Sequence, residues 1–80
     1  MLMHIEVTDT FGGEANYAWV RRKTVEVPDK ALKTANRTLV RIAKKEMGWT
    51  GERCTTQAFG EMIEVRLNCA HIVMFITFGE

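Results

Sequence analysis

The sequence predicts an α+β domain in which one long helix packs on one face of an antiparallel sheet of four to five strands. Apolar and polar residues alternate with a period of two near both ends of the chain, which is typical of half-buried strands. Between them, an apolar stripe and a basic stripe repeat with the period of an α-helix. The 80 residues are too few for two cores, so we expect residues 1–80 to form a single domain.

The amino-terminal half predicts two strands. In the first strand, apolar residues alternate with polar neighbours and should face the core: Met3, Ile5 and Val7. A turn containing Gly12 and Gly13 follows. Tyr17 to Val27 has the aromatic and β-branched content of a second strand, and the basic run Arg21 to Lys23, which breaks the alternation, predicts a bulge there.

A long helix is predicted from about Pro28 to Met47. Proline suits the first turn of a helix, and Gly48 can adopt the left-handed conformation that ends one. The residues expected on the core side are Leu32, Ala35, Leu39, Ile42 and Ala43. The residues expected on the opposite, solvent side are Lys30, Lys33, Arg37, Arg41 and Lys44.

The carboxyl-terminal half predicts three more strands. Residues 53–58 and 61–67 are strand-like and are separated by a gap short enough for a hairpin. Ile63, Val65 and Leu67 should face the core. The apolar run from Ala70 to Phe78 predicts a last strand at the centre of the sheet. The element order, ββαβββ, suits an antiparallel sheet.

The net charge of +1 conceals a strong segregation of charge. Residues 21–45 contain nine of the eleven lysines and arginines but only two of the ten acidic residues, which gives this segment a formal charge of +7. The rest of the chain, with two basic and eight acidic residues, carries −6. Such an asymmetry can steer a charged partner towards one region.

The basic stripe has two interpretations. A solvated helix face is the commoner one, since lysine and arginine are good helix formers. However, the cations lack acidic partners at i+4 and repel one another, and contact with an anionic surface would explain why that repulsion is tolerated. On this second interpretation, the predicted binding residues are Lys30, Lys33, Arg37, Arg41, Lys44, Arg21, Arg22, Tyr17 and Trp49.

The aromatic residues fall into two groups. Trp19 is expected to pack over the small core beside the helix. For Tyr17 and Trp49, packing and contact with a partner both remain open.

No catalytic or metal site is predicted. Cys54 and Cys69 are expected to be packing thiols, and a single bridge between them would require export. A site combining them with His4 and His71 lacks the paired spacing of metal ligands, and the acidic residues do not converge. We therefore expect no enzymatic activity, no metal and no cofactor.

The sequence predicts a cytoplasmic protein without a membrane anchor. The longest apolar stretch, Ala70 to Phe78, is interrupted by His71 and Thr77 and is far shorter than the roughly 20 residues of a membrane span. The first residues lack a positive charge followed by a long apolar core, so no secretory signal is expected.

Three segments, TDTFGGEANYAWVRR, RIAKKEMGWTG and MFITFGE, resemble small uncharacterised proteins of bacteriophages and prophages. The similarity covers most of the chain. Small phage accessory proteins often block host machinery by stoichiometric binding, as anti-CRISPR proteins do, although this chain lacks the acidic balance of those that mimic DNA. The resemblance implies an inhibitor or modulator of a host protein or nucleoprotein complex in the host cytoplasm. The alternative is a nucleic-acid-binding module, and a homodimer is possible in either case.

Overall fold

The computed structural model describes residues 1–28, 30 and 36–79, which form one sheet and one helix. The elements are β1 (Leu2–Phe11), β2 (Glu14–Glu26), α1 (Asn36–Glu46), β3 (Cys54–Phe59), β4 (Met62–Leu67) and β5 (Ile72–Phe78). The α+β class and the ββαβββ order are confirmed.

The sheet is antiparallel and contains five strands in the order β2-β1-β5-β4-β3. The apolar run at the end of the chain forms β5, which lies at the centre as predicted, with β1 and β4 on its two sides. β2 and β3 are therefore the two edge strands.

One face of the sheet and the helix enclose the core. Cross-strand register places Ile5 of β1, Ile76 of β5 and Ile63 of β4 in one row across this face, and all three are buried. The helix adds Leu39, Val40 and Ala43. The other buried apolar members of this core are Met3, Val7, Val27, Met47, Trp49, Val65 and Met74.

The helix is shorter than predicted. It contains eleven residues, Asn36–Glu46, where a long helix from about residue 28 to residue 47 was predicted. Val27 is buried and its N–H donates to the Met1 carbonyl at 2.9 Å, so the chain is still held beside β1 where the helix was expected to begin. Lys30 precedes α1, and Lys33, Leu32 and Ala35 lie outside the described residues.

The carboxyl end of α1 closes as predicted at Gly48, which has a φ of 76°. The Gly48 N–H donates to the Lys45 carbonyl at 3.3 Å, and the Trp49 N–H donates to the Lys44 carbonyl at 2.7 Å. This pair of bonds is the Schellman motif, in which the residue after the glycine commonly makes an apolar contact. Trp49 does so: its side chain is only 8% exposed.

The bulge in β2 lies near the hairpin rather than in the basic run. Arg21 to Lys23 pair regularly with β1, whereas Asn16 to Trp19 all lie opposite the single residue Asp9. Thr8, which is fully buried, accepts a hydrogen bond from the Tyr17 N–H and donates one to the Trp19 carbonyl, both at 3.0 Å. The bulge therefore depends on side chains of β1. Its position was predicted from the charge pattern of β2 alone, and that prediction was wrong.

No described helix covers the second face of the sheet, which we call the open face. Phe75 lies at its centre and is half-buried, with Glu6 and Glu64 as its cross-strand neighbours. Each carboxylate has a basic partner: the Glu6 Oε2 lies 2.9 Å from the Arg22 Nε, and Glu64 pairs with Arg66. The charges on this face are thus largely matched.

Among the described residues, no helix has the length and apolar character needed to cross a membrane.

Replacing Thr8 by valine should destabilise the fold, because the Tyr17 N–H and the Trp19 carbonyl would lose their hydrogen-bond partner. We expect a loss of about 1–3 kcal/mol in the free energy of unfolding, measured by urea denaturation. Thr10→Val is the matched control, since the Thr10 hydroxyl makes no hydrogen bond to another described residue. Equal losses in the two variants would contradict the role given to Thr8.

Asp9 should make the stability of the bulge depend on pH. Hydrogen bonds from the Asn16 amide, first of all, and from the Ala18 N–H lower the pKa of Asp9. The folded-state pKa is lowered, so the ionised carboxylate stabilises the folded protein. That stabilisation is complete above the unfolded-state pKa of about 3.9 and is lost as the pH falls through the folded-state pKa. Asn16→Ala should raise the pKa of Asp9, measured by NMR titration of its carboxyl carbon. An unchanged titration would contradict this account.

Candidate functional site

The exposed side of α1 carries four cations, which we call the cationic surface: Arg37, Arg41, Lys44 and Lys45. Their spacing of four, three and one residues places them on one side of the helix. Within the described part of the chain, no carboxylate lies at ion-pair distance from any of them. The Lys44 Nζ instead donates to the Glu52 carbonyl at 2.6 Å.

The cationic surface borders a cleft between α1 and β3, here called the α1–β3 cleft. Its volume is about 430 Å³. Arg37, Arg41 and Lys44 line it from the helix, while Cys54 and Thr56 line it from β3. Val40, Lys45, Thr50 and Gly51 complete the lining. The cleft therefore combines positive charge with a partly apolar lining.

On the flank of α1 that faces β2, the charges are paired. Glu46 lies there, and its Oε1 is 2.9 Å from the Nζ of Lys23 on β2. The uncompensated positive charge of α1 is consequently concentrated on the solvent side and on the flank that faces β3.

The predicted basic residues do not form one surface. Arg22 lies on the open face, where it pairs with Glu6. Arg21 is exposed on the helix side of β2, at the opposite edge of the sheet from the α1–β3 cleft. Lys30 is exposed before the helix, and Lys33 lies outside the described residues. Of the predicted basic residues that the structure describes, Arg37, Arg41 and Lys44 are the ones brought together.

The predicted aromatic residues add no exposed ring to the cationic surface. Tyr17 is 51% exposed in the β2 bulge, and burial, followed by the nearby Glu6 carboxylate, raises the pKa of its hydroxyl. Trp49 is buried as part of the helix closure and cannot serve as an exposed contact. Trp19, which was predicted to pack over the core, is 41% exposed because it belongs to the bulge.

The two cysteines are both free thiols, but they differ in environment. Cys69 is exposed, contrary to the predicted packing role, because the turn before β5 carries it outside the sheet. Cys54 packs against the core as expected. Burial raises the pKa of the Cys54 thiol, and the Lys44 ammonium offsets part of that rise.

The histidine and cysteine side chains are not brought together. The Nδ1 of His4 lies 3.1 Å from the Thr24 hydroxyl and its Nε2 lies 3.1 Å from the Gly79 carbonyl, on the open face. Cys54 belongs to the other face. Across the ranges that the structure describes, no three His, Cys, Asp or Glu side chains are grouped as metal ligands would be.

Sequence reasoning missed the contribution of β3 to the site. The cleft depends on Cys54 and Thr56, which were considered only as strand residues or as packing residues. A signal was present, since none of the six residues of β3 is charged, although charged residues make up 26% of the chain.

Comparison of the chain with known protein families, with curated proteins and with solved structures gave no significant match.

The two thiols should differ in reactivity, because the thiolate is the reactive form and burial raises the pKa of Cys54. Alkylation with excess iodoacetamide should show a fast phase from Cys69 and a slow phase from Cys54. Cys69→Ser should remove the fast phase. Lys44→Met should move the reactivity of Cys54 to higher pH. A Cys54 that reacts as fast as Cys69 would contradict the assigned environment.

Proposed function

We propose that this protein is a non-catalytic binding protein that engages an acidic segment of a protein partner through the cationic surface. The observation that carries the proposal is the set of cations on α1 that have no carboxylate partner among the described residues, next to a partly apolar cleft. Some other described charges are matched, as in the pairs Arg22–Glu6 and Lys23–Glu46. The unmatched set is therefore available to an external anion.

A protein partner suits this surface better than a nucleic acid does. Arg37 and Lys45 are eight residues apart on a helix, so the cationic surface extends only about 12 Å along its axis. Among the described residues, the exposed aromatic residues Phe11, Tyr17 and Trp19 lie on the β1–β2 hairpin and in its bulge. The fourth, Phe59, ends β3 and points to the open face rather than to the side of the sheet on which these cations lie. The cleft provides an apolar lining of the kind that accepts side chains of a peptide.

The resemblance of three segments to phage accessory proteins agrees with stoichiometric binding to a component of a host cell. On this proposal the protein inhibits or modulates that component by occupying its acidic segment, and no catalytic group is needed. Nucleic-acid binding is the second candidate, since phosphates also complement unmatched cations.

Reversing one charge of the cationic surface should weaken binding to an acidic peptide. With a glutamate-rich peptide at low ionic strength, Arg41→Glu should reduce the affinity about fivefold to twentyfold, because one charge-assisted contact becomes repulsive. NMR titration should show the largest shifts at Arg37, Arg41 and Lys44.

The matched control is Arg21→Glu, which makes the same change of charge at the opposite edge of the sheet and should leave the affinity nearly unchanged. Equal effects of the two reversals would contradict a localised site. Salt-sensitive binding to a short duplex DNA, with a slope that Arg41→Glu reduces, would favour the nucleic-acid candidate. Absence of binding to both probes would exclude both candidates.

A further inference from the structure

The strand β3 is an edge strand whose outer side is accessible. It is the last strand in the order β2-β1-β5-β4-β3, and only β4 pairs with it. Residues 55–59 are all exposed. Among the described residues, nothing covers the outer edge of this strand.

The two edges of the sheet differ in protection. Proteins protect edge strands against pairing with other chains by means of charges, proline and bulges. β2 carries the basic run Arg21 to Lys23 and the bulge Asn16 to Trp19. β3, with the sequence CTTQAF, contains no charge and no proline, and its register with β4 is unbroken over six pairs. Only the β3 edge is suited to accept another strand.

The hydrogen-bond register identifies the backbone groups on that edge. The Asn68 N–H donates to the Arg53 carbonyl at 3.0 Å. Because bonded and non-bonded pairs alternate along an antiparallel ladder, Thr55, Gln57 and Phe59 bond to β4. The N–H and carbonyl groups of the alternate residues, Cys54, Thr56 and Ala58, therefore point outwards.

These outward residues also belong to the helix side of the sheet. Cys54 pairs with Leu67 and Thr56 with Val65, and both line the α1–β3 cleft. A strand added to β3 would continue the pleat, so every second side chain would point towards the cleft. Those side chains would be about 6.8 Å apart and would meet Arg37, Arg41 and Lys44.

We infer that β3 is a docking edge that takes up an extended segment of the partner as a sixth strand, with acidic side chains at alternate positions facing the cationic surface. The inference rests on the proposed function and deepens it. Backbone hydrogen bonds to Cys54, Thr56 and Ala58 supply affinity, while Arg37, Arg41 and Lys44 select the acidic residues.

A second copy of this chain is a poorer occupant of the edge. Antiparallel pairing of β3 with β3, about a two-fold axis perpendicular to the sheet, would place both helices on the same face of a continuous sheet. The two sets of Arg37, Arg41 and Lys44 would then face each other, and their repulsion disfavours this arrangement.

The test uses a peptide of six residues, the length of β3, in which glutamate alternates with valine. Its control contains the same residues in two blocks. The alternating peptide should bind more tightly and should slow amide hydrogen exchange at Cys54, Thr56 and Ala58. Binding without that protection would overturn the inference, and this measurement on the unaltered protein does not depend on any variant folding.

Two variants at one position distinguish backbone pairing with β3 from the attraction of the cationic surface. Thr56→Pro removes an outward N–H without removing a bond to β4, and should weaken peptide binding about tenfold. Thr56→Val keeps the N–H and measures the effect of the side chain alone, so it should weaken binding clearly less than Thr56→Pro does. If both variants bind the peptide equally well while Arg41→Glu still weakens binding, the inference that the partner forms a sixth strand is overturned. The proposed function would remain intact.

Failure of the proposed function has a different signature, because Arg41→Glu and Thr56→Pro would then both leave peptide binding unchanged. Sedimentation analysis tests whether a second copy of this chain occupies the edge. A dimer that Thr56→Pro converts to a monomer would assign the edge to a second copy and overturn the inference.

Discussion

The fold depends on the packing of one short helix against one face of the sheet. α1 contributes Leu39, Val40 and Ala43 to the core, and these contact the sheet through residues such as Val65 and Ile63. Full burial of a leucine or valine side chain contributes roughly 1.5–3 kcal/mol, a large share of the stability of so small a domain. With this face of the helix fixed, Arg37 and Arg41 are necessarily presented on the sides away from the core.

The two edges of the sheet are held in different ways. At the β2 edge, the bulge is held by the Thr8 hydroxyl and the Asp9 carboxylate, and the ion pair Lys23–Glu46 joins the strand to the helix. At the β3 edge, Lys44 of the helix donates to the Glu52 carbonyl just before the strand, and a cleft remains between the two elements. The asymmetry of the site is therefore an asymmetry of packing as well as of charge.

Local patterns in the sequence predicted most of the fold but little of the site. The alternation in β1, β4 and β5 and the glycine at position 48 act over a few residues, and the structure agrees with them. The bulge could not be placed in this way, because its partners in β1 are distant in sequence. Register, which the pattern does not specify, puts Arg22 on the open face, and the bulge puts Tyr17 on the edge strand farthest from β3, so neither lies with the cations of the helix.

Two unfavourable features occur together beside the α1–β3 cleft. Like charges such as Arg37 and Arg41, four residues apart on a helix, cost a few tenths of a kcal/mol per pair. An uncharged edge strand exposes backbone groups that invite unwanted pairing. Either feature alone has a simple remedy, an acidic residue on the cleft side of α1 or a lysine on β3. The chain contains neither, since the acidic residue of α1, Glu46, lies on the flank that pairs with Lys23. An acidic strand bound along β3 removes both costs at once, since it neutralises the cations and satisfies the edge.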